Sequence, residues 1–289
     1  YEEVILKKKC TNNKINILSL CFWMTFIMTF LFINKDVKSQ YQTNQELGFL
    51  TGVSYYYGDL NNTHFNNSRI AGGVTYRTNF DRRFSFKSSM LYSNVYADDA
   101  LSSDQIKINR NLHFKSDIIE LSGQIEFNFL PYEKGNSLYP WSPFVFTGVS
   151  IFNYNPKAEA NNGQWYELQP LGTEGQETTL RPYLKKYSLT QFSIPFGGGI
   201  KLSVNKNLNI IFEYGLRKTF TDYIDDVSST YAGIPAEFDN ITIELADRSL
   251  DGPKQAGEER GVSTNNDWYS FSGITLSFTI KNNTKGCDY

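Results

Sequence analysis

The sequence predicts an all-β fold: an eight-stranded antiparallel transmembrane β-barrel with short periplasmic turns and long extracellular loops. Three observations lead there. Segments of period two recur along the chain, the links between them alternate short and long, and aromatic residues reach 16% at a mean hydropathy of −0.41. That composition is too polar for a bundle of membrane helices. It suits strands with one apolar and one polar side, flanked by aromatic belts.

Residues 1–39 read as a signal peptide. Lys7, Lys8, Lys9 and Lys14 form a basic region, residues 15–33 an apolar stretch, and Val37 and Ser39 are small enough to precede cleavage before Gln40. An apolar stretch of this length also suffices for a retained anchor; the small residues and the strand soon after them favour cleavage. The barrel is expected over 40–282 and a short polar tail over 283–289.

The strands follow in order. Over 46–60, Leu47, Phe49, Val53, Tyr55 and Tyr57 oppose Gly48, Gly52, Ser54 and Gly58. Over 68–80, Ile70, Val74, Tyr76 and Phe80 oppose Arg69, Thr75, Arg77 and Asn79, and a turn leads into 84–96. Ile119, Leu121, Ile125, Phe127 and Phe129 oppose Glu120, Ser122, Gln124, Glu126 and Asn128 over 116–130. The segment 141–154 is less cleanly patterned. Over 188–204, Phe192, Ile194, Phe196, Ile200 and Leu202 oppose Gln191, Ser193, Gly197, Gly199 and Lys201, with Pro195 predicting a bulge or a ladder break. The triplet Gly197-Gly198-Gly199 would let the wall bend there. Leu208, Ile210, Phe212, Tyr214 and Leu216 oppose Glu213 and Arg217, and Ile274, Leu276, Phe278 and Ile280 oppose Thr275, Ser277 and Thr279 in the last strand.

Link lengths set the direction of the apolar faces. Short links fall near Asp81, Tyr132 and Lys206, whereas the others are long, the longest running between Asp225 and Asp267. A compact water-soluble domain rarely carries several long structureless loops; outer-membrane barrels do so as a rule. The apolar faces therefore point into lipid, and the chain is expected to be integral to the outer membrane.

The inward faces then carry both signs of charge: Glu120, Glu126 and Glu213 with Arg69, Arg77, Lys201 and Arg217. A barrel of eight strands is just wide enough for side chains to fill it. Buried charges need partners, so a paired network is expected in place of a channel. Glu213 and Arg217 either face each other or reach across strands to Lys201 and Glu126. In the longest link, Phe238, Ile241, Leu245 and Ser249 fall at helical spacing, with Asp239 suited to the helix start and Gly252-Pro253 to its end.

Little in the chain points to catalysis. The net charge of −2 offers no field for nucleic acid. Of the three cysteines, Cys10 and Cys21 lie in the leader and Cys287 in the tail, so neither a disulfide nor a cysteine metal site is expected. No cofactor is expected. A lipid hydrolase would need a histidine base, and only His64 and His113 are available, both in expected loops. Oxygen ligands cluster in Asp222-Tyr223-Ile224-Asp225-Asp226, but the spacing matches no EF-hand, and an acidic loop rim is the commoner explanation.

The last quarter resembles a known family. Residues 219–231 (TFTDYIDDVSSTY, with Asp222, Tyr223, Asp225 and Asp226), Leu245-Ala246-Asp247-Arg248-Ser249, Arg260-Gly261 and the segment opening Asp267-Trp268-Tyr269 look like PorG-type outer-membrane proteins of Bacteroidetes. Glu46-Leu47-Gly48-Phe49-Leu50 and Tyr57-Gly58-Asp59-Leu60 fit as well. The resemblance covers about residues 41–280. It implies a non-enzymatic assembly or anchoring role in type IX protein secretion, with outer-membrane lipid around the barrel and periplasmic ring proteins like PorK and PorN as partners. Paralogues sharing the pattern have roles that are not established. A lipid-modifying enzyme and a general structural or adhesive barrel are the alternatives.

Overall fold

The computed structural model describes residues 43–280. The expected leader, the tail and all three cysteines lie outside the described residues.

Each expected segment forms a strand. These are β1 (Asn44–Ser54), continued in the same register by β2 (Tyr56–Tyr57), β3 (Arg69–Asn79), β4 (Phe84–Asp98), β5 (His113–Asn128) and β6 (Trp141–Glu159). A short β7 (Trp165–Glu167) pairs only with β6. Then come β8 (Thr190–Ser203), β9 (Leu208–Thr219) and β10 (Trp268–Ile280). Neighbours run antiparallel in the order β1-β3-β4-β5-β6-β8-β9-β10, and β10 pairs back onto β1, with Gln45 opposite Ile280 and Val53 opposite Ser272. The sheet is thereby a closed eight-stranded barrel.

Closure matters because lipid cannot hydrogen-bond a free strand edge. The outer wall completes the case. Phe49, Ile125, Val149 and Phe192 are each more than half exposed, while the alternate residues Thr75, Ser89, Ser122 and Thr275 are buried inside. In water, so large an apolar surface would not stay monomeric. Closed barrels with this inside-out pattern are the outer-membrane architecture, and this protein is an integral outer-membrane barrel.

Pro195 breaks the ladder without a bulge. Thr147 pairs with Phe196 and Ser150 with Ser193 in one unbroken register; only Pro195 and Ile194 lose their partners on β6, while both stay paired with β9. Gly197 and Gly199 have a reason other than bending. A Cβ at Gly199 would lie 2.8 Å from the Phe144 ring, and one at Gly197 2.9 Å from Phe146. These glycines leave room for two aromatic rings inside the barrel, where Phe144 and Phe146 pack with Ile211.

Three α-helices lie in the outer segments: α1 (Gln105–Arg110), α2 (Leu168–Leu171) and α3 (Asn240–Ala246). The expected helix in the longest link is α3. Asp239 caps it, accepting from Thr242 N at 2.7 Å, and Leu245 packs inward. It stops earlier than its spacing suggests. Beyond Ala246 the chain is extended at Asp247, whose carboxylate instead accepts from Ser249 N and Lys254 N at 3.0 and 2.6 Å.

Candidate functional site

Two buried charge systems occupy the protein, one inside the barrel and one above it. In the barrel, Glu126 is the hub. It accepts two hydrogen bonds from Arg77, at 2.8 and 3.0 Å, and one from Lys201 at 2.6 Å, with Lys87 3.8 Å away. Lys87 donates to Glu213 at 2.6 Å, and Arg217 donates to Glu120 at 3.0 Å. Tyr269 completes the second pair, donating to Glu120 at 2.8 Å. Toward the periplasm, Glu46 accepts from Ser277 and Asn79 and lies 3.4 Å from Arg77. The ammonium groups of Lys87 and Lys201 also sit over the Phe146 and Phe144 rings at 4.7 and 4.8 Å, a cation–π support in a low-dielectric interior.

The periplasmic mouth is closed from below. The turn between β5 and β6 sends Lys134 inward to Thr279 at 2.7 Å and to within 3.6 Å of Glu46. The charged side chains above this turn are buried and the Lys134 side chain is only 5% exposed, so the barrel is filled.

The structure thus gathers Arg77, Glu120, Glu126, Lys201, Glu213 and Arg217 in the interior, and corrects two expectations. Arg69 has inward parity but does not join them. It sits exposed at the outer end of β3, over the Tyr96 ring at 4.7 Å, because the strand already rises past the filled section there. Glu213 and Arg217 pair neither with each other nor with Lys201 and Glu126, since their partners are Lys87 and Glu120. Lys87, Glu46 and Lys134 escaped the sequence reading. Parity alone would have found Lys87, which alternates with Phe84, Phe86 and Met90.

The pairing yields a mutational expectation. Glu213→Leu and Arg217→Leu should each destabilise the barrel, typically by ~3–5 kcal/mol for a broken buried pair. Because they belong to separate pairs, the double mutant should lose the sum of the two within about 0.5 kcal/mol. Chemical unfolding in detergent checks this; a double mutant much milder than the sum would mean the two side chains are coupled.

Above the barrel the long outer segments fold together. Tyr56, Leu60, Leu112, Phe114, Ile224, Val227 and Leu245 share one apolar core with Tyr154 and Tyr269 from the strands. The rings of Tyr154, Tyr187 and Tyr223 stack in sequence, with centroids 6.2 and 4.6 Å apart. Within this cap, Glu174 accepts from Ser228 N, Ser229 N and the Ser229 hydroxyl at 2.9, 3.0 and 2.7 Å, and from Arg260 at 3.2 Å. Arg260 also donates to the carbonyls of Asp226 and Ala246. Asp226 accepts from Tyr187 at 2.6 Å and from Thr173 at 2.5 Å.

The family-like residues divide three ways. Asp222, Asp225, Asp226 and Asp267 are buried together, and Tyr223 reaches Glu174 at 3.3 Å. Asp247 and Arg248 follow α3, where Arg248 donates to the Glu159 carbonyl at 2.7 Å. Trp268 stands on the outer wall, edge-on to Phe196, with Lys218 over its ring. Burial pushes Asp222 up to about 8 and Asp226 up to about 6, the latter against the pull of Arg260. Beside the cluster, a cleft of about 1100 Å³ opens between Asp59, α1 and residues 258–268.

Neither histidine forms a catalytic pair. His64 shares a 2.7 Å hydrogen bond with the Tyr55 hydroxyl and stacks on Tyr57. His113 opens β5, where a loop was expected, and accepts from Glu159 N at 3.0 Å. Among the described residues no group of three His, Cys, Asp or Glu is arranged to hold a metal ion.

Fold and interior together define a closed outer-membrane β-barrel with a filled lumen and an ordered outer cap. The sequence matches the family described as Domain of unknown function (DUF6089) over residues 23–169, more than half its length, and the chain belongs to that family. No curated protein matches the sequence. Solved structures that resemble it include the N-terminal β-barrel domain of Pseudomonas aeruginosa OprF (11% identity, 83% of this chain and 100% of that chain, TM-score 0.36). The attachment invasion locus protein Ail of Yersinia pestis (8%, 83% and 100%, 0.40) and Neisserial surface protein A (6%, 83% and 100%, 0.42) are also similar. The membrane assignment rests on the outer wall described above.

Proposed function

We propose that this chain is a PorG-type barrel, a non-enzymatic anchor in the outer membrane for the type IX protein secretion machinery. The observation that carries the proposal is the filled lumen. Glu126 with its three cations, and Lys134 across the periplasmic mouth, leave a barrel suited to holding other components in place. The family-like residues of the cap support the same reading. In this proposal residues 1–39 are removed as a signal peptide, 40–282 form the barrel and 283–289 trail it. Periplasmic ring proteins resembling PorK and PorN meet it at the short turns or on its outer wall.

The test is affinity purification of the tagged barrel from solubilised membranes. Co-purifying periplasmic ring components are expected. Recovery of the barrel alone, together with normal protein secretion in cells lacking it, would overturn the proposal.

A further inference from the structure

The cap closes on an arrangement that the anchoring role leaves unused. The Tyr56 hydroxyl lies 2.5 Å from Asp225 Oδ2 and 2.7 Å from Asp267 Oδ1. Both carboxylates are buried, and their remaining oxygens accept backbone N–H groups: Val227 N on Asp225 and Ile224 N on Asp267, at 2.9 and 2.8 Å. One phenol has one proton and can donate to only one of them. The other contact can be a hydrogen bond only if that acid holds a proton of its own and donates it to the phenol oxygen.

The surroundings say which acid is neutral. Asp267 faces Asp222 and Asp225, like charges that oppose its ionisation. Asp225 faces Asp59, but Arg110 on α1 favours its charge, although that guanidinium is held by Asp99 at 2.7 and 2.8 Å. Tyr154 of β6 faces the same carboxylates, and Phe114 of β5 packs edge-on to the Tyr56 ring. The neutral acid is thus Asp267, which donates to Tyr56, which donates to the Asp225 carboxylate.

We propose that this shared-proton triad is a pH-sensitive latch on the outer cap, closed when Asp267 is protonated and released when it ionises. Its placement makes it a latch. Asp225 lies near the start of the 220–267 segment and Asp267 at its end, and Tyr56 pins both to the rim strand. The released strip 258–268 forms one wall of the cleft against α1, so opening remodels that cleft. The sign follows from proton counting. Burial and the neighbouring acids hold Asp267 well above the usual carboxylate range, so the closed cap keeps a proton that an opened, hydrated cap gives up. The latch's contribution to cap stability is therefore complete below the ordinary carboxylate pKa of ~3.9 and falls as pH rises from there toward the raised pKa of closed Asp267.

The test uses the full barrel in lipid nanodiscs, with hydrogen exchange of 220–267 followed from about pH 6 to about pH 10 and corrected for intrinsic rates. One released proton changes the opening constant by about tenfold per pH unit above the ordinary carboxylate pKa, until the closed form itself ionises. Protection of 220–229 and 258–267 should fall at least tenfold across the range while the strands stay constant; with Asp222→Asn in the background to remove the other raised carboxyl of the segment, Asp267→Asn should abolish the fall. In Asp222→Asn, infrared titration should show the carbonyl band of a protonated carboxyl disappearing over the same range, a readout independent of exchange. Constant protection in the wild type, an equal fall when Asp267→Asn is added to Asp222→Asn, or no such carboxyl band would each overturn the latch. Loss of ring-protein binding would bear on the anchoring proposal and leave this one standing.

Discussion

Replacing Glu126 with leucine should be the most damaging single change inside the barrel, costing at least ~3–5 kcal/mol of unfolding free energy. The reason is arithmetic of charge. Glu126 compensates Arg77 through two hydrogen bonds and Lys201 through a third, and it is the second carboxylate near Lys87. Removing it leaves Lys201 without a carboxylate and Arg77 with only the 3.4 Å contact to Glu46, while Lys87 keeps Glu213; truncating one member of a buried pair leaves the other uncompensated. Glu213→Leu strands only Lys87, which keeps Glu126 within 3.8 Å. Adding Arg77→Leu to Glu126→Leu should recover part of the loss but not all of it, because Lys201 still lacks its partner. Denaturant unfolding in detergent, read as loss of the heat-modifiable folded band, measures all three. A loss for Glu126→Leu no greater than for Glu213→Leu would refute the hub.

Arg260→Leu should open the cap while leaving the barrel closed. Arg260 is buried and holds together residues far apart in sequence: Glu174, the Asp226 carbonyl and the end of α3. Without it, Glu174 and Asp226 remain buried as two uncompensated acids, a local cost again of ~3–5 kcal/mol. The sign with pH is distinctive. Burial already sets Asp226 near 6, and loss of Arg260 pushes it higher, so acid neutralises it and relieves the defect. External protease should therefore cut 220–267 in the variant readily at pH ~8 and more slowly at pH ~5, with the barrel fragments still migrating as folded. A variant as resistant as the wild type at pH ~8 would show that the cap is held by its apolar core alone.

How much of this could be read from the chain differs between lipid and water. In the membrane, period two is enforced residue by residue, since each outward side chain meets hydrocarbon. The strands over 68–80 and 208–221 thus agree with β3 and β9 to within two residues at either end. Beyond the lipid that pressure ends. β5 starts at His113, before the expected 116, and β6 runs to Glu159 past the expected 154, because there the strands are held by cap contacts that follow no period. The same limit applies to the charges. Inward parity identified Glu126 and Arg77, yet parity assigns no partner, and Glu213 was set beside the wrong cations. Arg69 shows the cost of extending parity past the filled section. In the cap, Glu174 and Arg260 are 86 residues apart and Tyr56 and Asp267 are 211 apart. Such pairs carry no local signal, because distant segments come together only when the barrel brings their ends to one rim.

The tips of that cap have one more consequence. A side chain at Gly163, Gly252 or Gly257 would meet nothing within 4 Å, and each glycine has a positive φ that marks a turn apex. These apices ride on the cap, which is continuous with strands anchored in the bilayer, so a peptide grafted there would be carried clear of the surface at a fixed orientation. The protein is in this sense a small pedestal. Its charged lumen supplies a rigid foot, and its outer turns supply attachment points for cargo displayed on the cell.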